Sequence, residues 1–281
     1  MKRHYILPTI LAVSLLFSFS STRHAATVDE SIQPFQDTWA LPTKTYQTVP
    51  VNWDASKDKG WAIQLALNEA KTAKTPVKIV IPKGTYVLNK PLRIYSNTYL
   101  KLSADTTFVR NHKETMLING DYGANYSGYN GQSNIVIDGG TWDANGDVIK
   151  DDGSVFGLSH GQNLLIQRVN IKDVYYSHAI DLSGDQNVVV RDSSFRGFYD
   201  DGTRGYAEAI QIDVTASSRS FSEFGSYDNT VSRNIRIENN IFGTSASRGA
   251  KSWGVAVGSH SVVPGKIYTN IQVIRNTFDN V

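Results

Sequence analysis

Asn134-Ile-Val-Ile-Asp, Asn163-Leu-Leu-Ile-Gln, Asn187-Val-Val-Val-Arg, Asn234-Ile-Arg-Ile-Glu and Asn270-Ile-Gln-Val-Ile are five versions of one phrase, an asparagine feeding a short apolar strand. Their starts lie 29, 24, 47 and 36 residues apart, so the 47-residue step is either two short units or one unit carrying a long insertion. A lone strand of this kind cannot bury its apolar side, whereas identical strands laid one above another share a continuous core. The pattern predicts an all-β solenoid, a parallel β-helix. Asparagine suits its corners because it tolerates the left-handed conformation and its amide bonds to neighbouring backbone. These five asparagines are therefore expected to be structural.

Each unit from Asn134 continues into a second strand: Gly140-Thr-Trp142, Val169-Asn-Ile171, Ser194-Phe195, Asn240-Ile-Phe242 and Thr277-Phe278. Three units add a third segment: Ser177-His-Ala-Ile-Asp-Leu182, Ala207-Glu-Ala-Ile-Gln-Ile-Asp213 and Trp253-Gly-Val-Ala-Val-Gly-Ser-His260. Ser154-Val-Phe-Gly-Leu158 falls in the same column. Upstream, Val77 to Leu102 reads as short strands broken by Pro82-Lys-Gly84 and Asn89-Lys-Pro91 turns. Between Asp58 and residue 74 the period becomes helical, with Ile63, Leu67 and Ala70 on one side and Asp58 as N-cap. Such a helix closes the exposed first coil of a solenoid. Residues 27–57, interrupted by Pro34, Pro42 and Pro50, read as an irregular leader and strap, and 58–281 as one β-helix domain.

Residues 1–26 have the pattern of a secretory signal peptide: Lys2 and Arg3, an apolar run from Ile6 to Phe19, then small residues at Ser18, Ser20, Ala25 and Ala26. The apolar run is shorter than the roughly 20 residues of a membrane span. The formal charge of the chain is +2, and cleavage near Ala26 leaves 25 basic against 26 acidic side chains. No basic tract supports nucleic-acid binding. The chain lacks cysteine, so disulfides contribute nothing; a core of this size needs none. A secreted or cell-surface protein with a polysaccharide or oligosaccharide partner is the expectation, without stable membrane insertion after cleavage.

Aligned third segments bring His178 beside Glu208, Asp181 beside Gln211 and Ser183 beside Asp213. Strand alternation turns Asp181, Gln211 and Asp213 outward, whereas His178 and Glu208 have inward parity unless corners at Ala179 and Ala209 turn them out. Glu208, Asp213, Asp181 and His178 are the catalytic candidates. Glu208 with Asp213, or with Asp181, would supply the protonated and ionised carboxyls of a glycoside hydrolase, crowding raising one of the two pKa values. Around them Asp200, Asp201, Arg204, Tyr176, Tyr199, Tyr206, Gln211, Arg248, Lys251, Trp253 and His260 are candidate sugar contacts, since aromatic faces stack on sugars and cations hold acidic substituents. The loop from Val214 to Thr230, with Phe221, Phe224 and Tyr227, is expected to wall the groove.

Trp61-Ala-Ile-Gln-Leu-Ala-Leu-Asn, Ile81-Pro-Lys-Gly-Thr-Tyr and the repeated asparagine strands together resemble the pectate-lyase-like (pectin-lyase-fold) superfamily of right-handed parallel β-helices, over residues 46–281. The nearest branch is the bacterial extracellular one with polygalacturonase-like glycoside hydrolases. The resemblance implies polysaccharide degradation; the polygalacturonase motifs survive only as Asp200-Asp201, Gly258-Ser-His260 and Arg236-Ile-Glu238. The runner-up is a polysaccharide lyase acting on a uronate, with His178, Lys251 or His260 as base and Arg248 or a cation on the carboxylate. Calcium would then be the cation, with Asp181, Asp200, Asp201 and Asp213 as oxygen donors; for the hydrolase no cofactor and no metal is expected. The third reading is a non-catalytic glycan-binding surface protein. Asn270 to Val281 supplies two strands and nothing to cover them, so self-association or a C-terminal continuation is expected.

Overall fold

The computed structural model describes residues 35–205, 207–219, 221–223 and 226–281; the signal-peptide reading of residues 1–26 falls outside them. From Gln47 onward the chain winds through three parallel sheets in turn. The first sheet holds the asparagine strands: Gln47–Thr48, Val77–Ile81, Thr98–Leu102, Ile135–Asp138, Gln162–Gln167, Gln186–Arg191, Arg233–Glu238 and Thr269–Ile274. The second runs from Gly84–Leu88 through Thr106–Arg110, Thr141–Asp143, Asn170–Tyr175, Ser194–Tyr199 and Ile241–Gly243 to Thr277–Phe278. The third stacks Leu92–Ile94, Leu117–Asn119, Phe156–Ser159, Ile180–Ser183, Glu208–Asp213 and Val255–Gly258. This is the expected right-handed parallel β-helix.

Its register is written in asparagine. Asn97, Asn134, Asn163, Asn187, Asn234 and Asn270 all adopt left-handed backbone, φ 52–61°, and their side chains form one continuous ladder. Each amide donates to the amide oxygen of the rung before it: Asn134 to Asn97 at 3.0 Å, Asn163 to Asn134 at 3.0 Å, Asn187 to Asn163 at 3.1 Å. The same contact joins Asn234 to Asn187 and Asn270 to Asn234. The sequence repeat missed Asn97, which lies one rung earlier. Gln186–Arg191 pairs directly with Arg233–Glu238, so the 47-residue step is one unit with insertions after Tyr199 and after Asp213, not two units.

Ile135, Ile137, Leu164, Ile166, Val188, Val190, Ile235 and Ile237 point inward to the core, where Phe108, Trp142 and Phe156 meet edge to face at 4.7–4.8 Å. The intervening Val136, Leu165 and Val189 face outward, yet they are buried, under Leu41. The cover is a strap built from a short helix, Phe35–Ala40, and a 3-10 turn, Leu41–Thr43. Thr38 Oγ1 donates to the Asn187 carbonyl at 2.8 Å, and the guanidinium of Arg236 sits over the rings of Phe35 and Trp39. The expected irregular leader thus contains a helix, and Gln47–Thr48 is already the first rung. An outer apolar face on the sheet demands this cover, whatever the local propensity.

The capping helix is Lys59–Asn68, continued by a 3-10 turn at Glu69–Lys71 and so ending short of residue 74. Asp58 caps it through the Trp61 amide at 3.2 Å, and Ile63, Ala66 and Leu67 enter the core. Gln64 satisfies the open edge of the third sheet: its Nε2 donates to the Arg93 carbonyl at 3.1 Å and its Oε1 accepts the Arg93 N–H at 2.6 Å. At the far end the last rung leaves Val273 and Phe278 exposed. Asn163→Ala should cost about 2 kcal/mol, because alanine pays for left-handed backbone and two ladder bonds are lost. Asn163→Gly, which keeps the conformation, should recover part of the loss in thermal or denaturant unfolding.

Candidate functional site

The third sheet carries an outward column in strict register: Arg93, Ile118, Gly157, Asp181, Gln211 and Gly258. The expected pairings of Asp181 with Gln211 and Ser183 with Asp213 are present. Alternation breaks where the sequence requires it to. Ala179 and Ile180, and likewise Ala209 and Ile210, are consecutive residues that both lie in the core, which turns His178 and Glu208 to the outer face.

Around Asp181 opens a polar pocket of about 300 Å³, lined by His178, Asp181, Arg204, Gln211 and His260 together with Ser154, Ser177, Arg219 and Glu223. Both insertions of the long unit reach it: Arg204 comes from the first, and Ser218, Arg219, Phe221, Ser222 and Glu223 from the second. The bridge between Val214 and Val231 closes the base of the second loop, which walls the pocket as expected. Phe221 is buried against Ile118, Tyr227 is exposed, and Phe224 lies outside the described residues. Glu223 was not among the sequence candidates; a loop has no register from which to place it.

Glu208 is buried, and its Oε2 stands 2.6 Å from His260 Nε2. A Cβ at residue 258 would come within 2.6 Å of Glu208 Cγ, so Gly258 is the space in which that side chain lies. His178 Nδ1 is 2.8 Å from the Glu208 carbonyl, to which it can only donate. Its Nε2 is then an acceptor, 3.3 Å from the Arg204 guanidinium. Burial pushes the His178 pKa down to about 3, assisted by the charge of Arg204, so this imidazole is neutral at physiological pH. Asp181 has the opposite shift. Burial, then the nearby carboxylates Glu223 and Asp213, raise its pKa well above the usual carboxylate range.

Asp213 is fully buried, which corrects its expected solvent-reached position. It points outward, but the chain at Ser259–Ser261 folds over it. Its carboxylate accepts five hydrogen bonds: Gln211 Nε2 at 2.5 Å, Ser259 Oγ at 2.9 Å, the amides of His260 and Ser261 at 2.8 and 3.1 Å, and Ser261 Oγ at 3.1 Å. Its work is to hold His260 against Glu208.

The remaining candidates separate. Arg204 lies over the ring of Tyr176, whose hydroxyl meets Thr203. Asp200 is bonded to Lys251 at 2.6 Å and Asp201 to Thr203, and none of these four lines the pocket. Tyr199 donates to the Arg248 carbonyl on the same neighbouring surface. Trp253 offers no sugar platform: it is buried against Phe198 at 5.1 Å, a core residue because an inward position on a strand end takes a large ring. Tyr206 lies outside the described residues. The four aspartates considered for calcium do not converge, two being committed to Lys251 and to the 259–261 turn. His178, Glu208 and His260 do present ligand atoms within 4.8 Å of one another. The Arg204 guanidinium on His178 Nε2 already supplies positive charge there, so these residues fit a cation poorly. Asp213→Ala should lower the melting temperature and accelerate amide exchange at His260 and Ser261 far more than at the asparagine strands, as five hydrogen bonds to a charged acceptor are lost.

With this geometry in hand, comparison with known proteins is informative. The chain is similar to the plasmin and fibronectin-binding protein A of Streptococcus pneumoniae, 29% identical over an alignment of 273 residues that covers 88% of this chain and 37% of that protein. Its structure is similar to the crystal structure of PfbA, a surface adhesin of S. pneumoniae, with a TM-score of 0.71 and 25% identity over 83% of this chain and 57% of that one. The family 28 exopolygalacturonase of Yersinia enterocolitica shares the fold, with a TM-score of 0.57 and 15% identity over 83% of this chain and 49% of that one. The chain thus spans well under two thirds of the length of these relatives. The family model for rhamnogalacturonase A/epimerase, pectate lyase-like proteins matches residues 50–207, more than half of the sequence. The chain belongs to the rhamnogalacturonase A/epimerase, pectate lyase-like family.

Proposed function

We propose that this chain is an exported glycan-active β-helix that hydrolyses a glycosidic bond of an extracellular polysaccharide, with Asp181 as proton donor and Glu208, set against His260, as the second carboxyl group. The observation that carries this reading is the protonated carboxyl of Asp181 in the pocket, with Glu208 buried beneath the His260 that lines it. Asp181 retains its proton above the ordinary carboxylate range, while Glu208 Oε2 stands 2.6 Å from His260 Nε2. A hydrolase needs such a division between an acid and a base. Asp213 and Gln211 position the pair, and Arg204 with neutral His178 completes the polar wall. The lyase reading is weaker, since the lone pair of His178 faces Arg204 and Lys251 is bonded to Asp200. Export follows from the N-terminal sequence pattern, and among the described residues no helix is long and apolar enough to cross a membrane.

A second reading has its own support. The similar streptococcal protein is named for binding plasmin and fibronectin, and a similar structure is described as a surface adhesin. The pocket would then hold a glycan or a glycosylated partner without cleaving it.

Incubation with a panel of neutral and acidic polysaccharides separates the readings. New reducing ends without an unsaturated product are expected; an ultraviolet-absorbing unsaturated product means elimination, and retention of intact glycan means binding alone. Asp181→Asn should lower turnover by about 10²- to 10⁴-fold and abolish the alkaline limb of the pH profile, which reports loss of the Asp181 proton. The sign of the stability effect is opposite. Because the folded pKa is raised, the native state holds a proton that the unfolded chain releases above its ordinary pKa, so stability falls as pH rises toward the folded value. Asp181→Asn should therefore raise the melting temperature at neutral pH and leave it nearly unchanged below the unfolded pKa. Undiminished turnover in this variant would remove Asp181 from the mechanism.

A further inference from the structure

A polymer lying along the third sheet would run over its outward column, and that column is obstructed one rung before Asp181. Gly157 stands beside Asp181 in register, and Ile118 beside Gly157. The ring of Phe221 lies on both. A Cβ at residue 157 would come within 3.3 Å of Phe221 Cε2 and 3.1 Å of Thr115 Cγ2, so the bare glycine is the seat on which the ring rests. Phe221 and Ile118 bury each other, with Ala124 and Tyr126 packed against them. A side chain at 157 would lift this plug off the sheet.

The loop that carries Phe221 is fastened at both edges of the sheet. It leaves the solenoid after Asp213, at the edge where the third-sheet strands end. At the opposite edge, two residues before the strand Leu117–Asn119, Thr115 donates its hydroxyl to the Glu223 carboxylate at 2.6 Å. Three further bonds tie the same loop to an earlier coil. The Gly123 N–H donates to the Glu223 carbonyl at 2.9 Å, the Ser226 N–H to the Tyr126 carbonyl at 2.7 Å, and the Gly128 N–H to the Asp228 carboxylate at 2.7 Å. A segment held at both edges and plugged into the sheet between them is a wall across the groove.

We propose that this wall confines the reaction to the ends of a polysaccharide, with Phe221 and the Glu223–Thr115 contact setting that specificity. The inference rests on the hydrolase reading of the Asp181 pocket and adds its mode of attack. The plug stands one rung, about 4.8 Å, from Asp181, a spacing that admits a single glycosyl residue. The pocket volume of about 300 Å³ lies at the small end of the range for sites that enclose one small molecule. A chain passing Asp181 in both directions has no path over Ile118. The terminal residue therefore lodges between Phe221 and Asp181, and the rest of the polymer leaves across Gln211. The bond between the anomeric carbon and the glycosidic oxygen breaks, Asp181 gives its proton to that oxygen, and water adds to the carbon and returns a proton to the carboxyl groups. The product is a monosaccharide.

The test reads product length. Polygalacturonate, a sulfated galactan and a neutral galactan are incubated with the parent chain while reducing ends, viscosity and product size are followed together. On the polymer that is cleaved, monosaccharide should be the sole small product from the first time points, with viscosity holding as reducing ends accumulate. Two variants are compared on the same polymer. In one, residues 216–229 are replaced by Asn-Gly, a two-residue hairpin turn joining Thr215 to Thr230, which already pair through the Thr215 N–H and the Thr230 carbonyl at 3.0 Å. In the other, Phe221→Ala is combined with Thr115→Val, which empties the seat and opens the latch while the loop stays. Both should shift the products to a ladder of longer oligosaccharides with an early fall in viscosity. Rate is the wrong readout, because the replacement also removes the Glu223 carboxylate that favours the protonated form of Asp181. A merely structural wall would alter rate or melting temperature and leave product length unchanged. Internal cleavage by the parent chain overturns the inference and keeps the hydrolase, as does unchanged product length in either variant that melting shows to be folded. No cleavage of any of the three polymers removes the hydrolase reading and this inference with it.

Discussion

Register between stacked rungs is the constraint on which everything else in this molecule depends. Parallel strands hydrogen-bond equally well after a slip, but a slip of one residue exchanges the inner and outer faces of every rung. The asparagine ladder removes that freedom. Six left-handed corners, each tied side chain to side chain to the corner below, allow one alignment of the first sheet. The other two sheets follow because the connections between them are short. Asp181 stands beside Gln211, and Ser183 beside Asp213, as a consequence of where Asn163 and Asn187 sit.

A rigid stack of this kind gives flat, repetitive faces, and the site exists because one unit departs from the repeat. The Asn187 unit carries two insertions, one delivering Arg204 and the other Glu223, both to the pocket that the third sheet already floors. The same unit ends in Asp213, whose buried carboxylate gathers the Ser259–Ser261 turn from the following rung. His260 is thereby set against Glu208 by a residue that has no open surface of its own. The division of labour is physical: carboxylates saturated with donors position, and the carboxyl left with few donors and like-charged neighbours carries the proton.

The stacked strands, their parallel sense, the capping helix and the inward positions were legible because each depends on local periodicity that repeats. His178 and Glu208 were legible too, as a parity conflict that two alanine corners resolve. What could not be read depends on covering layers. Trp253 looked like an exposed ring near acids, but nothing in a strand-end pattern distinguishes a platform from a plug until Phe198 is seen beneath it. Asp213 was outward by alternation and buried by a turn 46 residues later in the chain. Phe35–Ala40 became a helix because the outer faces of Val136, Leu165 and Val189 required a lid, a demand set by tertiary structure and not by its own sequence. Glu223 had no periodic neighbour at all.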